Sequence, residues 1–437
     1  IHWRDWSSDV CSSDLAALEA ADIREWARVM PWTRGHSAVS AAPEYEAYVV
    51  EQWSKECFGP YWQRPELYAR GYYDRFPDVP MVHMSSWYDP YALTATENFA
   101  ALSKAKRGPV RLVMGPWTHG QRSVTHAGGV DFGPAATLDG NLAPDYVTLR
   151  RDFFDRHLRG LDAPDWLVAP VTLFVMGGGS GARTGEGRLL HGGSWLRTTD
   201  WPPREAQPTP WYLREGGRLD RAAPTSDAQV AWRFDPLDPV PTIGGAIASG
   251  APLMEGGAFD QRETRDTYGA RHPGRALAAR EDVQVFETPP LAADVVVVGP
   301  VVARLWVSTS GRDTDFTVKL LDVHPPTPDW PDGFAMNLTS GIQRLRFHAG
   351  YEQARPVEPD RVYCIEVTLF PTANRFMAGH RVRVDVSSSN FPHFDVNPNT
   401  GAAAAVPADP VTAVNRLHFG RDRPSGIVLH LLPAPRT

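Results

Sequence analysis

Residues Met81–Ser86 (MVHMSS) read as a short buried strand, and Trp87-Tyr88-Asp89 follow at its C-terminal end. Further on, Val110–Met114 (VRLVM) reads as a second strand, followed by Gly115-Pro116-Trp117-Thr118-His119-Gly120. Between them, Pro90–Leu102 sets Tyr91, Ala95, Phe99 and Leu102 on one face at helical spacing. The pattern predicts a βαβ unit: strand, loop with Asp, helix, strand, loop with His. Its two strands should be parallel neighbours, so both loops open at the carboxyl edge of the sheet, where α/β folds place their ligands.

On either side of this unit the pattern changes. Residues 16–78 are helical and rich in aromatics, with helix-like spacing over Ile23–Met30 and Tyr45–Cys57 and Pro-broken turns between. Residues 79–169 hold the α/β unit, closed by an amphipathic helix over Ala143–Leu158. From residue 170 to 437 the period is two: Thr172–Met176, Val295–Val298, Val301–Ser308, Phe316–Val323, Gly341–Phe347, Val362–Leu369 and Arg381–Ser387 read as strands between Pro/Gly turns. Arg381–Val386 alternates with one face in and one out. Many short strands without intervening helices predict an antiparallel sandwich, a jelly roll by preference. Residues 1–15 (IHWRDWSSDVCSSDL) share neither period, and Ser7-Ser8-Asp9 repeats as Ser12-Ser13-Asp14. This tract resembles translated sequencing adapter and is set aside from fold reasoning; with no native start in view, localisation stays unknown.

At 437 residues, the chain is long enough for two or three domains, and 42% hydrophobic with 22% charged residues is ordinary globular composition. No apolar run approaches the roughly 18 residues of a membrane helix, so no membrane partner is expected. A net charge of −7 argues against a nucleic-acid surface. Outside the first tract the cysteines are Cys57 and Cys364, far apart and with no zinc-like Cys/His spacing around them. No cofactor and no metal ligands are expected; His191, His324, His380 and the other histidines are scattered, and His380 reads as a structural turn residue.

Asp89 and His119 are the candidate acid and base. Each has a plainer reading: Asp89 before Pro90 suits a helix N-cap, and a loop histidine is often only hydrogen-bonded. Together, on two successive parallel strands, they have the order of the last two members of a Ser…Asp…His triad. In such a pair the carboxylate fixes the imidazole tautomer, and the other ring nitrogen exchanges a proton with a serine hydroxyl.

The segments SSWYDPY (85–91), LVMGPWTHG (112–120) and FFDRHLRGLD (153–162) resemble the acid, base and following-helix segments of the cocaine esterase/X-Pro dipeptidyl-peptidase-like family, the CocE/NonD hydrolases. So do DTDFTVKLLDVHP (313–325), LTSGIQRLRF (338–347) and FMAGHRVRVDVSSSNFPHFDVNPNTG (376–401) in the C-terminal half. The resemblance covers nearly everything after Leu15. It implies an α/β-hydrolase fragment holding the last strands of the sheet, with residues 16–78 as the end of a helical cap and 170–437 as a jelly-roll sandwich. It implies Asp89 as triad acid and His119 as base, with Tyr91 and Trp87 as substrate-binding neighbours.

The family's nucleophile sits on a G-x-S-x-G elbow upstream of the cap, and this sequence has no such elbow. Ser180 and Ser194 have glycine-rich surroundings but lack the flanking pattern, and both follow His119. The expectation is therefore an N-terminally truncated serine hydrolase. It would act on small acyl esters, amides or short peptides, those of X-Pro type among them, through an acyl-enzyme, and be inactive alone. Association into a homo-oligomer stays open. The competing reading is a non-catalytic jelly-roll binding module, of the kind that lectin-like domains use, with a vestigial Asp–His pair.

Overall fold

The computed structural model describes residues 16–17, 19–28, 30–162, 164–251 and 253–433. The first-residue tract set aside above lies outside them. Near the N-terminus, helix α1 spans Ile23–Arg28 and α2 spans Pro43–Ser54, which starts on a proline where a missing N–H costs nothing. A 3₁₀ stretch, Ala69–Arg75, leads into the sheet.

Strands β1 (Met81–Tyr88) and β2 (Val110–Thr118) are parallel neighbours, as expected, in register from Met81 opposite Val110 to Ser86 opposite Gly115. Helix α3 (Ala92–Ala105) packs on both, burying Ala92, Ala95, Thr96, Phe99 and Leu102. It begins later than its pattern suggests. Tyr91 is the capping residue, exposed, so it does not share the buried stripe of Ala95, Phe99 and Leu102. Helix α4 (Tyr146–Arg159) also starts late, because the Asp145 carboxylate caps it by accepting the Thr148 N–H at 2.6 Å. A short α5 (Asp165–Val168) follows.

Two-residue strands β3 (His126–Ala127) and β4 (Val130–Asp131) join β6 (Leu189–Leu190) in a small separate sheet. β5 (Val171–Met176) pairs in parallel with β2 and antiparallel with β7 (Gly193–Thr198). The strand that opens the period-two region is thus also the third strand of the α/β sheet. The remaining strands are β8 (Gln207–Arg214), β9 (Arg218–Asp220), β10 (Ala228–Phe234), β11 (Gln284–Glu287), β12 (Val295–Thr309) and β13 (Asp315–His324). After them come β14 (Phe334–Arg344), β15 (Tyr363–Phe376), β16 (Arg381–Ser387), β17 (Ala413–Phe419) and β18 (Gly426–Leu432). Hydrogen-bonded neighbours run β1-β2-β5-β15-β12-β18-β8-β9-β11-β16-β13-β14, so the α/β sheet continues into the β-rich domain through β5 and β15. One core is common to both, from Trp87, Phe99 and Phe174 to Phe316, Val384 and Leu429.

Several strands differ from their sequence pattern. The two valine runs before residue 309 are one strand, β12, with a bulge between Gly299 and Val301. The run over Gly341–Phe347 ends as strand at Arg344, and Leu345–Phe347 turn as 3₁₀ because Asp313 accepts the Arg346 N–H at 2.9 Å. In β16 the charged face is buried too. Arg383 and Asp385 neutralise each other at 2.6 Å beneath neighbouring strands, so alternation here does not mark a solvent face.

The three C-terminal segments picked out in the sequence converge. Arg344 pairs with Asp315 at 2.8 Å through two nitrogens, Arg346 lies 2.8 Å from Asp313, and Asn397 donates to both aspartates. Charges this deeply buried are tolerated only when paired and hydrogen-bonded. Arg346 also approaches Glu56 at 3.5 Å, and Glu56 accepts the Ala404 N–H, tying the segment after α2 to the β-rich domain.

Candidate active site

The register of β1 and β2 decides the site. After a bulge, Tyr88 lies opposite Thr118, so the next residues, Asp89 and His119, leave the sheet side by side. Just before the bulge, Gly115 lets the Trp117 ring lie against the strand: a Cβ there would come within 2.4 Å of that ring, which is buried with its indole N–H on the Ala136 carbonyl at 2.6 Å. Gly120, at φ +78°, turns the chain sharply away after His119, a left-handed conformation that favours glycine.

Asp89 is buried, and its two oxygens have different partners. Oδ1 accepts the Tyr91 N–H at 2.9 Å, and Oδ2 lies 3.1 Å from His119 Nδ1. The local-turn reading and the acid reading therefore both describe this residue, one oxygen each, although the helix cap itself is Tyr91. An ionised carboxylate only accepts, so Nδ1–H of His119 donates and the neutral ring keeps its lone pair on Nε2. The His119 side chain is 54% exposed against 8% for Asp89. Nε2 has no hydrogen-bond partner among the described residues. The arrangement is an imidazole oriented through Nδ1 on a half-exposed side chain, with Nε2 left without a partner among the described residues, which is what a general base requires.

Tyr91 stands beside this imidazole, exposed, with ring centroids 5.5 Å apart. Trp87 does not. It has no exposed surface, its indole N–H donates to the Phe174 carbonyl at 2.7 Å, and its ring stacks on Trp201. The expectation that Trp87 touches substrate is corrected accordingly: both faces of this end of β1 are covered, and Trp87 belongs to the core shared with the β-rich domain. Tyr88 is buried as well and donates to the Asn337 carbonyl of β14, with burial pushing its phenol pKa upward. Ser180 and Ser194 are exposed. Among the described residues Asp89 is the sole side chain hydrogen-bonded to His119, and no serine reaches it.

One group of potential ligands was not apparent from spacing. His191, Asp322 and His324 are buried together, with His380 and Asn374 against them. Burial pushes His191 and His324 downward, the latter to about 3, with Asp322 opposing. Burial also acts to raise Asp322, but the His380 hydrogen bond and the nearby imidazoles outweigh it and hold the carboxyl low. Asp322 and His324, two apart on one strand, were the available signal; His191 and His380 come from distant sequence.

Comparison with known proteins gives the chain's relatives. The model of the X-Pro dipeptidyl-peptidase C-terminal non-catalytic domain matches residues 166–428, and that of X-Pro dipeptidyl-peptidase (S15 family) matches residues 4–121. Cocaine esterase of Rhodococcus sp. (strain MB1 Bresler) is 35% identical over 365 residues, covering 81% of this chain and 56% of that protein. An aminopeptidase structure from a marine sediment Thaumarchaeota archaeon superposes with TM-score 0.71 at 26% identity, over 91% of this chain and 62% of that one. An α-amino acid ester hydrolase structure gives TM-score 0.71 at 25% identity, over 95% of this chain and 63% of that one. The chain thus spans somewhat over half the length of these relatives. With an S15-type α/β part, a β-rich domain of the X-Pro dipeptidyl-peptidase kind and a cocaine esterase relative at this identity, the chain belongs to the CocE/NonD hydrolase family.

Proposed function

We propose that Asp89 and His119 are the acid and base of a Ser–His–Asp acyl-transfer triad acting on small esters, amides or short peptides. The observation that carries this reading is the 3.1 Å contact from Asp89 Oδ2 to His119 Nδ1, with Nε2 unpartnered among the described residues on a half-exposed side chain. In the reaction, Nε2 takes the serine proton as the hydroxyl attacks the acyl carbon, then returns it to the leaving alcohol or amine. Asp89 stabilises the imidazolium without taking the proton itself. Tyr91 borders the acyl pocket, and residues 16–78 supply the end of a cap over it.

The nucleophile and oxyanion donors belong, on this proposal, to a segment outside the sequence given. Two observations support that. No G-x-S-x-G elbow occurs in the chain. Among the described residues, strand β1 has a hydrogen-bonded neighbour on one side only, which leaves an edge for a further parallel strand. The β-rich domain, read as a jelly roll on its antiparallel β12–β15 and β13–β14 pairs, supports the sheet from the opposite end.

In the enzyme completed with a nucleophile-bearing segment, Asp89→Asn and His119→Ala should each lower kcat by about a thousandfold or more, with thermal stability little changed. Steady-state hydrolysis of an activated ester measures this. An Asp89→Asn enzyme that melts early yet turns over normally would leave Asp89 as a turn residue and nothing more.

A further inference from the structure

We propose that His191, Asp322 and His324 form a buried site for a divalent transition-metal ion of the zinc class, separate from the Asp89–His119 pair. The donor atoms of these three residues all lie within 4.8 Å of one another. Asp322 and His324 are two apart on β13, and His191 arrives from the loop after β6. His191 Nδ1 and His324 Nε2 are 3.1 Å apart. Two imidazole nitrogens on one tetrahedral zinc, each at about 2.0–2.1 Å, stand roughly 3.3 Å apart, so these rings need to move only a few tenths of an ångström.

The surroundings are arranged as the outer shell of a metal site is. Asn374 donates through Nδ2 to Asp322 at 3.0 Å, which turns its own carbonyl oxygen toward His191 Nε2 at 2.8 Å. His191 Nε2 must therefore carry hydrogen, and the neutral ring's lone pair is on Nδ1, aimed at His324. His380 fixes the other Asp322 oxygen at 2.8 Å, leaving each carboxylate oxygen a second lone pair. The His191 N–H is itself held by the Asp131 carbonyl of β4. An ion here would take the place of the hydrogen now between the two rings, with neutral His324 carrying its proton on Nδ1 instead. Two imidazoles and one carboxylate, with no thiolate, suit zinc or cobalt, and a water completes four-coordination. The ion would tie the loop carrying His191 to the β-rich domain at the point where the two parts of the sheet meet, a structural role.

The test uses the whole chain, stripped with a chelator and titrated with zinc chloride by calorimetry. One tight equivalent is expected, with the Tm raised by about 3 °C at hundredfold saturation and low-coordinate ligand-field bands on substitution with cobalt. His324→Gln keeps an amide donor toward His191 Nδ1, so it should preserve the metal-free Tm while weakening the tight site at least a hundredfold. Absence of a tight equivalent in the wild-type chain overturns the proposal, as does a tight site that persists in His324→Gln. Should that variant fail to fold, the wild-type stoichiometry and cobalt spectrum decide by themselves.

Discussion

Lys319 shows what a single buried charge contributes in this molecule. It is almost fully buried on β13, with Nζ donating to Gln261 Oε1 at 3.2 Å. Burial pushes its pKa down to about 8, with Asp385 opposing and Arg383 reinforcing. The unfolded chain titrates this group near 10.5, so between about 8 and 10.5 the unfolded state holds the extra proton. Native stability from this group is therefore fully present above 10.5 and is lost as pH falls through about 8. Lys319→Met should accordingly stabilise the protein at pH 7 by on the order of 2 kcal/mol, with the advantage fading toward pH 10.5. Urea midpoints of both proteins across that range measure it, and parallel profiles would contradict the account. At this scale the sequence told much about where Asp89 and His119 stand, because each follows a run of strand length. Trp87 misled for a physical reason: the last four residues of β1 are buried on both faces of the strand, and nearness to an acid in sequence says nothing about exposure. The His191 group was illegible because its members lie on separate elements far apart in the chain.

Among the elements, β5 is the joint. It pairs with β2 on one side, and its last residue, Met176, stands opposite Asn374 on β15. Gly177 follows at φ +98°, and a Cβ there would lie 2.3 Å from the Arg375 carbonyl oxygen. Gly177→Ala should push β5 and β15 apart and destabilise the fold by about 2 kcal/mol or more. Gly185→Ala, later in the same loop with nothing within 4 Å of the added carbon, should be neutral. Thermal melts of the pair separate close approach from loop flexibility; equal losses would sink the explanation. Legibility here followed simple rules. Long β-branched runs such as β12 and β16 were readable. β8 was not, since Pro208 and Pro210 argue against a strand, although it pairs with β18 along its length. The start of α4 was misplaced because Asp145, two residues beyond the expected start at Ala143, caps the helix with its side chain.

The molecule as a whole joins two parts through one sheet and one core, with the Asp–His pair at the carboxyl edge near one end of that sheet. That arrangement supports the view that the chain carries the acid and base of a hydrolase whose serine comes from elsewhere. The α/β class, the β-rich domain and the pair itself were legible because each rests on local periodicity and strand order. Continuity of the sheet through β5 was not, since strand pairing between distant segments leaves no mark in either one. The most direct test is labelling with a fluorophosphonate probe, read by mass spectrometry. The account predicts no labelled serine in this chain alone. Once a segment with a G-x-S-x-G elbow is supplied, it predicts one labelled serine in that segment, lost in His119→Ala. Stoichiometric labelling of a serine in this chain, or labelling indifferent to His119, would contradict it.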